Sequence, residues 1–176
     1  MHIAARMGHA PIIQLLLYHG APLNATTQCG MTALFIASQE GHDAVVQCLL
    51  HAGAEVDTPI VDGATPLFVA SQTGRTSIIQ KLLDARALTD KATNTGATPL
   101  HIAAQMGHHD VARMLVSRGA SIHAFTPLGG SPIHFANRFG HKGVFDFLMQ
   151  HWQKQSNSST GKQDKVADMK KRAVYL

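Results

Sequence analysis

Charged residues, aromatic residues and cysteines are all scarce in this sequence, and each scarcity removes a class of protein. Charged residues make up 15% of the chain and aromatic residues 6%, against 45% hydrophobic residues. The chain can therefore bury a core and is not globally disordered. Two cysteines, Cys29 and Cys48, are too few for a disulfide framework or a paired-cysteine zinc motif. No apolar run approaches the roughly 18 residues that a membrane-spanning helix needs.

Glycines recur through the sequence in one phase, at a spacing of 33 residues. They are Gly8, Gly41, Gly74, Gly107 and Gly140. A fixed period of this size indicates a repeat array. We predict a partial repeat at 1–26 and further repeats at 27–59, 60–92, 93–125 and 126–152.

Each repeat reads as two short helices. In the fourth repeat, Thr98 is a natural N-cap and Pro99 suits the first helical position. The helix that follows is expected to span six or seven residues and to end at Gly107, a C-cap glycine. A second helix follows, and Gly20, Gly53 and Gly119 end it in three repeats. Arg86 and Trp152 take that glycine's place in the other two, so we expect the third repeat to end differently or to be locally weaker, and the array to stop at Trp152.

The segment Thr98-Pro99-Leu100-His101-Ile102-Ala103 resembles the signature of the ankyrin repeat, and three other segments match it in part, the first of them without the proline and the histidine. They are Thr32–Ala37, Thr65–Ala70 and Ser131–Ala136. The resemblance covers residues 1–152 and implies an all-α solenoid of stacked helix-turn-helix units with projecting β-turns. It also implies a non-catalytic scaffold or adaptor that binds another protein, because stacked repeats display an extended surface.

The twelve histidines invite a metal or catalytic hypothesis, but most recur at fixed positions of the repeat. The signature histidine, as at His101, is implied by the resemblance to be a structural hydrogen-bonding group near the next turn. Cysteine and histidine spacing of the zinc type is absent, as are phosphate loops and activated nucleophile motifs. We therefore predict no metal, no cofactor and no catalysis. An enzyme that uses the histidines is the alternative.

The resemblance implies that partner contacts come from turn tips and from the residues just before the glycine that ends each first helix. On the concave inner-helix face these residues are Gln39, Glu40, Gln72, Thr73, Gln105, Met106, Arg138 and Phe139. At the turns they are Met31, Asp62, Asn94, Phe125 and Leu128.

The C-terminal end of this face collects apolar side chains: Met106, Phe125, Leu128 and Phe139. With Arg138 and Arg113 nearby, they predict a binding hot spot, since aromatic residues and arginine dominate interface energetics. The alternative is that Phe125 and Phe139 cap the last repeat, where no further repeat covers the core.

The formal charge of +4 lies entirely after Trp152. The neutral repeat body argues against nucleic acid as the partner. Residues 153–176 predict a polar basic tail that is disordered or weakly helical. Within the tail, Lys170, Lys171 and Arg172 are consistent with nuclear import.

The leading prediction is a cytoplasmic protein-binding array without a membrane span. The alternative is a regulatory segment of a larger channel, kinase or transcription-regulating protein. Met1–Ala5 aligns with the middle of a repeat, which leaves the first layer open and apolar. We expect a fragment, an alternative start or a partner at that end, and a monomer unless the open repeat pairs.

Overall fold

A computed structural model describes residues 1–158 of the chain. In this range the regular secondary structure consists of ten α-helices. They are α1 (His2–Arg6), α2 (Ala10–Tyr18), α3 (Ala33–Glu40), α4 (Asp43–His51), α5 (Pro66–Thr73), α6 (Thr76–Asp84), α7 (Pro99–Met106), α8 (His109–Ser117), α9 (Pro132–Arg138) and α10 (Lys142–Ser158).

The helices form two layers. The odd-numbered helices pack in sequence order as an inner layer, from α1 against α3 to α7 against α9. The even-numbered helices pack as an outer layer, and each also contacts the inner helix that precedes it. This arrangement confirms the predicted all-α stack of helix-turn-helix units.

One continuous apolar core runs between the layers. The signature position of the inner helices is filled by Leu34, Leu67, Leu100 and Ile133, each at most 2% exposed. The matching outer positions, Leu49, Leu82, Leu115 and Leu148, are fully buried. A pair of such short helices is marginal alone, and stacking supplies the apolar contacts that hold it.

The inner helices begin as the sequence predicts. The hydroxyls of Thr32 and Thr65 accept hydrogen bonds from the backbone N–H groups of Phe35 and Phe68. At Thr98 and Ser131, a histidine three residues on completes a capping box. Each cap satisfies backbone donors that the first helical turn leaves unpaired.

The predicted lengths of the inner helices were slightly short. The helices α3, α5 and α7 each have eight residues rather than six or seven, and α9 has seven. Gly41, Gly74 and Gly107 follow them in the left-handed conformation, as predicted for C-cap glycines.

Arg86 ends the third repeat in the same way as a glycine does, which corrects the expectation of a different ending. It is the one non-glycine residue of positive φ in the described chain, at 65°. Its N–H donates to Leu83 O at 3.0 Å, as that of Gly53 donates to Leu50 O. The left-handed conformation is strained for a residue with a Cβ atom.

We therefore predict that Arg86→Gly raises the free energy of unfolding by about 0.5–1 kcal/mol, because relief of strain outweighs the added freedom of the unfolded chain. Urea denaturation measures the change. Arg86→Ala is the control, since alanine loses the guanidinium but keeps the strain. An equal gain in both variants would attribute the effect to charge instead.

The last outer helix crosses the predicted boundary at residue 152. Trp152 continues α10 where other repeats turn, and its ring lies 4.0 Å from the His123 ring, centroid to centroid. The side chain is only 8% exposed. The helix reaches Ser158, so the first six residues assigned to the tail are helical. The nuclear-import hypothesis for Lys170, Lys171 and Arg172 lies outside the described residues.

Candidate protein-binding surface

The predicted inner-face residues lie at the C-terminal ends of the inner helices. We call Gln39, Glu40, Gln72, Thr73, Gln105, Met106, Arg138 and Phe139 the inner-helix surface. All of them are exposed except Gln105, which is partly exposed. The preceding residues of each inner helix are largely buried, so the part of the helix that packs in the core ends where this surface begins.

The backbone of the inner-helix surface is fixed by the next repeat. His108 Nε2 donates to Gln72 O at 3.0 Å, and His141 Nε2 donates to Gln105 O at 2.9 Å. Arg75 replaces the histidine in one repeat and donates to Glu40 O at 3.3 Å. Binding side chains that start from a fixed backbone lose less entropy when a partner docks.

Glycine is required where these cross-repeat bonds form. A Cβ atom at Gly74 would lie 2.9 Å from Cε1 of His108, closer than real contacts allow. The same glycine has a φ of 71°. Glycine at this position of the repeat therefore meets two requirements: it ends the helix in the left-handed conformation, and it leaves room for the ring of the following repeat.

The turns that precede the inner helices share one hydrogen-bonding pattern. The N–H of Ile60 donates to Ala64 O, and that of Thr93 donates to Ala97 O, both at 2.9 Å. Successive tips also bond to each other, because Asn94 N–H donates to Asp62 O at 2.8 Å. Pro127 occupies the next equivalent position and has no N–H to donate, so this ladder of turns does not continue into the last repeat.

Three of the predicted turn contacts have structural roles that the sequence did not reveal. Asp62 Oδ1 accepts from Ala64 N–H at 2.9 Å, and Asn94 Nδ2 donates to Val61 O at 3.0 Å. Met31 is partly buried against a small apolar cluster that includes Phe35. Each of these three side chains therefore has a contact within the chain that explains its presence without a binding partner. Their role in binding stays a prediction.

The last repeat contains an apolar pocket, which we call the C-terminal pocket. It has a volume of about 240 Å³ and lies between the last turn and α9. Three predicted site residues line it: Leu128, Arg138 and Phe139. Phe135 lines it too, and sequence reasoning missed this residue because it follows the periodic pattern of the core.

The other predicted hot-spot residues are arranged around the C-terminal pocket or lie away from it. Met106 occupies the position of Phe139 one repeat earlier and is 40% exposed. The ring of Phe125 lies 6.4 Å from that of His134, which lines the pocket. Arg113 lies on α8 in a different groove, beside Phe147 and His151, so it is not part of this cluster.

The exposure of the two phenylalanines bears on the capping alternative. Phe125 is 52% exposed and Phe139 is 48% exposed. A residue that seals the end of a core is expected to be mostly buried, as Trp152 is at 8%. Both side chains are partly in solvent, and the choice between a binding role and a capping role for Phe139 stays a prediction.

His101 shows how the signature histidine joins two repeats. Its Nδ1 accepts from Thr98 N–H at 3.1 Å, so the proton is on Nε2, which donates to Gly130 O at 3.2 Å. The side chain is fully buried, and burial lowers the pKa of His101 below its usual value. A lowered pKa favours the neutral imidazole, which is the form that both hydrogen bonds require. These contacts agree with the structural role that the resemblance implies.

Three further observations concern metal binding, membrane-spanning helices and the cysteines. In residues 1–158 no three histidine, cysteine or acidic side chains converge as a metal site requires. Across the same residues, no helix combines the length and apolar character needed to cross a bilayer. Cys48 is partly buried, which raises the pKa of its thiol.

The comparisons with known proteins agree with this architecture. The family model described as "Ankyrin repeats (3 copies)" matches residues 1–60 and 46–126. A search of curated proteins found no match. The two matched segments cover more than half of the sequence, and the capped helices α3, α5 and α7 and four of the five periodic glycines lie within them. The chain belongs to the ankyrin-repeat family.

Proposed function

We propose that this chain is a non-catalytic adaptor that binds another protein through the inner-helix surface, with an apolar side chain of the partner in the C-terminal pocket. Ankyrin repeats are generally protein–protein interaction modules. The observation that carries the proposal is the cluster of exposed apolar side chains around that pocket.

The apolar, charged and polar side chains of the surface are expected to contribute differently to binding. Leu128 is 93% exposed, and together with Phe139 it presents apolar surface that stays in contact with water until a partner covers it. Arg138, on the same pocket, can pair with a carboxylate at the rim. The glutamines farther along the surface supply hydrogen bonds that select the partner but contribute less affinity.

The charge distribution favours a protein over a nucleic acid. Residues 1–152 carry as many acidic as basic side chains. Binding to a phosphate backbone draws its affinity from an excess of positive charge, which this surface lacks. A partner with an apolar anchor and mixed polar groups matches the surface better.

A crosslinking pull-down from native lysate tests the proposal. The site variant is the double substitution Leu128→Ala and Phe139→Ala. Its matched control is Leu88→Ala with Tyr18→Ala, which removes one leucine and one aromatic ring that are 56% and 85% exposed elsewhere. We expect the site variant to lose specific partners by about tenfold or more, since interface anchors contribute at least 2 kcal/mol each.

A second variant tests the polar stretch. Gln72→Glu with Gln105→Glu adds two charges to the middle of the inner-helix surface. We expect it to reduce recovery of the same partners, because an unpaired carboxylate must be desolvated on binding. Partners recovered equally by wild type and both variants would place binding elsewhere on the chain.

A further inference from the structure

One position near the end of the inner helices carries the same side chain in three adjacent repeats. Gln39, Gln72 and Gln105 occupy it. Arginine takes the same position on either side, as Arg6 in the repeat before them and Arg138 in the repeat after them. All five are exposed except Gln105, which is partly exposed. We call these five residues the glutamine column. Because the inner helices pack in sequence order, the column runs along the array.

The side-chain amides of the glutamine column are available to a ligand. Within residues 1–158, those of the three glutamines make no hydrogen bond. The backbone carbonyls of Gln72 and Gln105, in contrast, already accept hydrogen bonds from histidines of the next repeat. A glutamine amide offers both N–H donors and a carbonyl acceptor, so it can bind the N–H or C=O group of a peptide backbone. The column therefore presents peptide-binding groups on a fixed main chain.

The spacing of the column favours one conformation of the ligand. Packed helices lie about 8–10 Å apart, so successive glutamines are separated by about the same distance. A polyproline II helix advances about 9.3 Å in each turn of three residues, and its backbone groups have no internal hydrogen bonds. An α-helix repeats after about 5.4 Å and uses its own backbone groups, and a β-strand repeats after about 6.6 Å. Only in the polyproline II conformation does each turn of the ligand meet one glutamine.

The two arginines determine the charge of the ligand at its ends. Among the described residues, no carboxylate pairs with Arg6 or Arg138. Guanidinium groups bind carboxylates through paired hydrogen bonds. Four steps of the column separate the two arginines, which corresponds to about 12 residues of a polyproline II chain. Glu40, beside Gln39, is the one acidic residue of the inner-helix surface and repels a carboxylate that lies next to it.

We propose that the glutamine column binds a segment of the partner in the polyproline II conformation, with one carboxylate on Arg6 and another on Arg138. The two acidic residues are about 12 positions apart in the segment, and the residues between them are uncharged. A large apolar residue next to the second acidic residue enters the C-terminal pocket. This inference rests on the proposed function, because the anchor and the pocket are the same.

Selection from a phage-displayed library of random linear peptides of about 16 residues tests the proposal. We expect the enriched peptides to have two acidic residues about 12 positions apart, a large apolar residue beside one of them, and prolines between them. With Arg138→Glu, lysine or arginine should replace the acidic residue beside the apolar one. The matched control is Arg113→Glu, which reverses a charge at an exposed position of α8 outside the inner-helix surface and should select the wild-type pattern.

Fluorescence anisotropy of the most enriched peptide measures the contribution of the column. We expect Gln72→Ala to weaken binding by about two- to tenfold, as the loss of one neutral hydrogen bond does. Arg138→Gln should weaken it by about tenfold or more, since a charged pair is lost. Gln47→Ala is the control for the glutamine, because Gln47 is exposed on the outer helix α4, and its affinity should match that of the wild type. Circular dichroism establishes that each variant is folded.

Three results would overturn the proposal. They are a selection that enriches no linear peptide, enriched peptides whose apolar residues recur every three or four positions as in a helix, and a pattern that Arg138→Glu leaves unchanged. The pull-down with Leu128→Ala and Phe139→Ala reports separately on the proposed function. If that variant loses its partners while the peptide selection fails, the surface binds a partner of another conformation and only this inference is wrong. If its partners are retained, the proposed function fails as well.

Discussion

Replacing Gly107 with alanine is expected to lower the free energy of unfolding by about 2–3 kcal/mol, which would be a large fraction of a typical domain's stability. Gly107 has a φ of 75°, and alanine in this conformation costs about 1–2 kcal/mol. Its Cβ atom would also overlap the ring of His141. The ring can move only by giving up its bond to Gln105 O, which adds about 1 kcal/mol.

Gly119→Ala separates these two causes. Gly119 has a φ of 91°, but a Cβ atom there would meet nothing within 4 Å. We expect this variant to lose only the conformational part, about 1–2 kcal/mol. Urea denaturation of both variants gives the difference. Equal losses would mean that the cross-repeat histidine bond contributes nothing to stability.

His101→Ala is expected to destabilise the array by about 2–4 kcal/mol. The substitution leaves a cavity at a fully buried position and removes the hydrogen-bond partners of Thr98 N–H and Gly130 O. Because the bond to Gly130 spans two repeats, the loss should affect their coupling as well as one helix cap. The exposed His19 provides the control, and His19→Ala should change stability by less than about 0.5 kcal/mol.

His101 should also make stability depend on pH. Burial lowers the pKa of His101 in the folded state, so on acidification the unfolded chain takes up a proton first. The stability that the neutral histidine provides is present above the unfolded pKa of about 6.5 and is lost as the pH falls below it. Unfolding free energies at pH 7.5 and 5.5 should therefore differ less in His101→Ala than in the wild type. An unchanged pH dependence in the variant would show that other histidines cause it.

The starts and ends of the inner helices were predictable because the residues at these positions have the same structural role from one repeat to the next. Thr98 caps a helix and Gly107 ends one, and each constraint leaves a periodic trace in the sequence. Arg75 shows the limit of that approach. It bonds to the preceding repeat as the histidines do, yet its side chain gives no periodic signal.

The surface was harder to predict because its chemistry depends on neighbours that are distant in sequence. Asn94 looked free for a partner but bonds to Val61 O, 33 residues earlier. The C-terminal pocket arises where the last turn meets α9, and its lining mixes framework residues such as Phe135 with predicted ones. Exposed apolar side chains in the first helix pair were expected from the sequence, but the extent to which Ile3 and Leu15 are exposed required the structure.

The central claim is that partner binding depends on the apolar cluster at the C-terminal end of the inner-helix surface. The most direct test measures the affinity of Phe139→Ala for one captured partner together with its thermal melting, and repeats both for Met106→Ala. We predict a loss of about tenfold or more in affinity for Phe139→Ala with little change in melting, because about half of the ring is already exposed. A lower melting temperature with unchanged affinity would contradict the claim and assign Phe139 to the cap of the array.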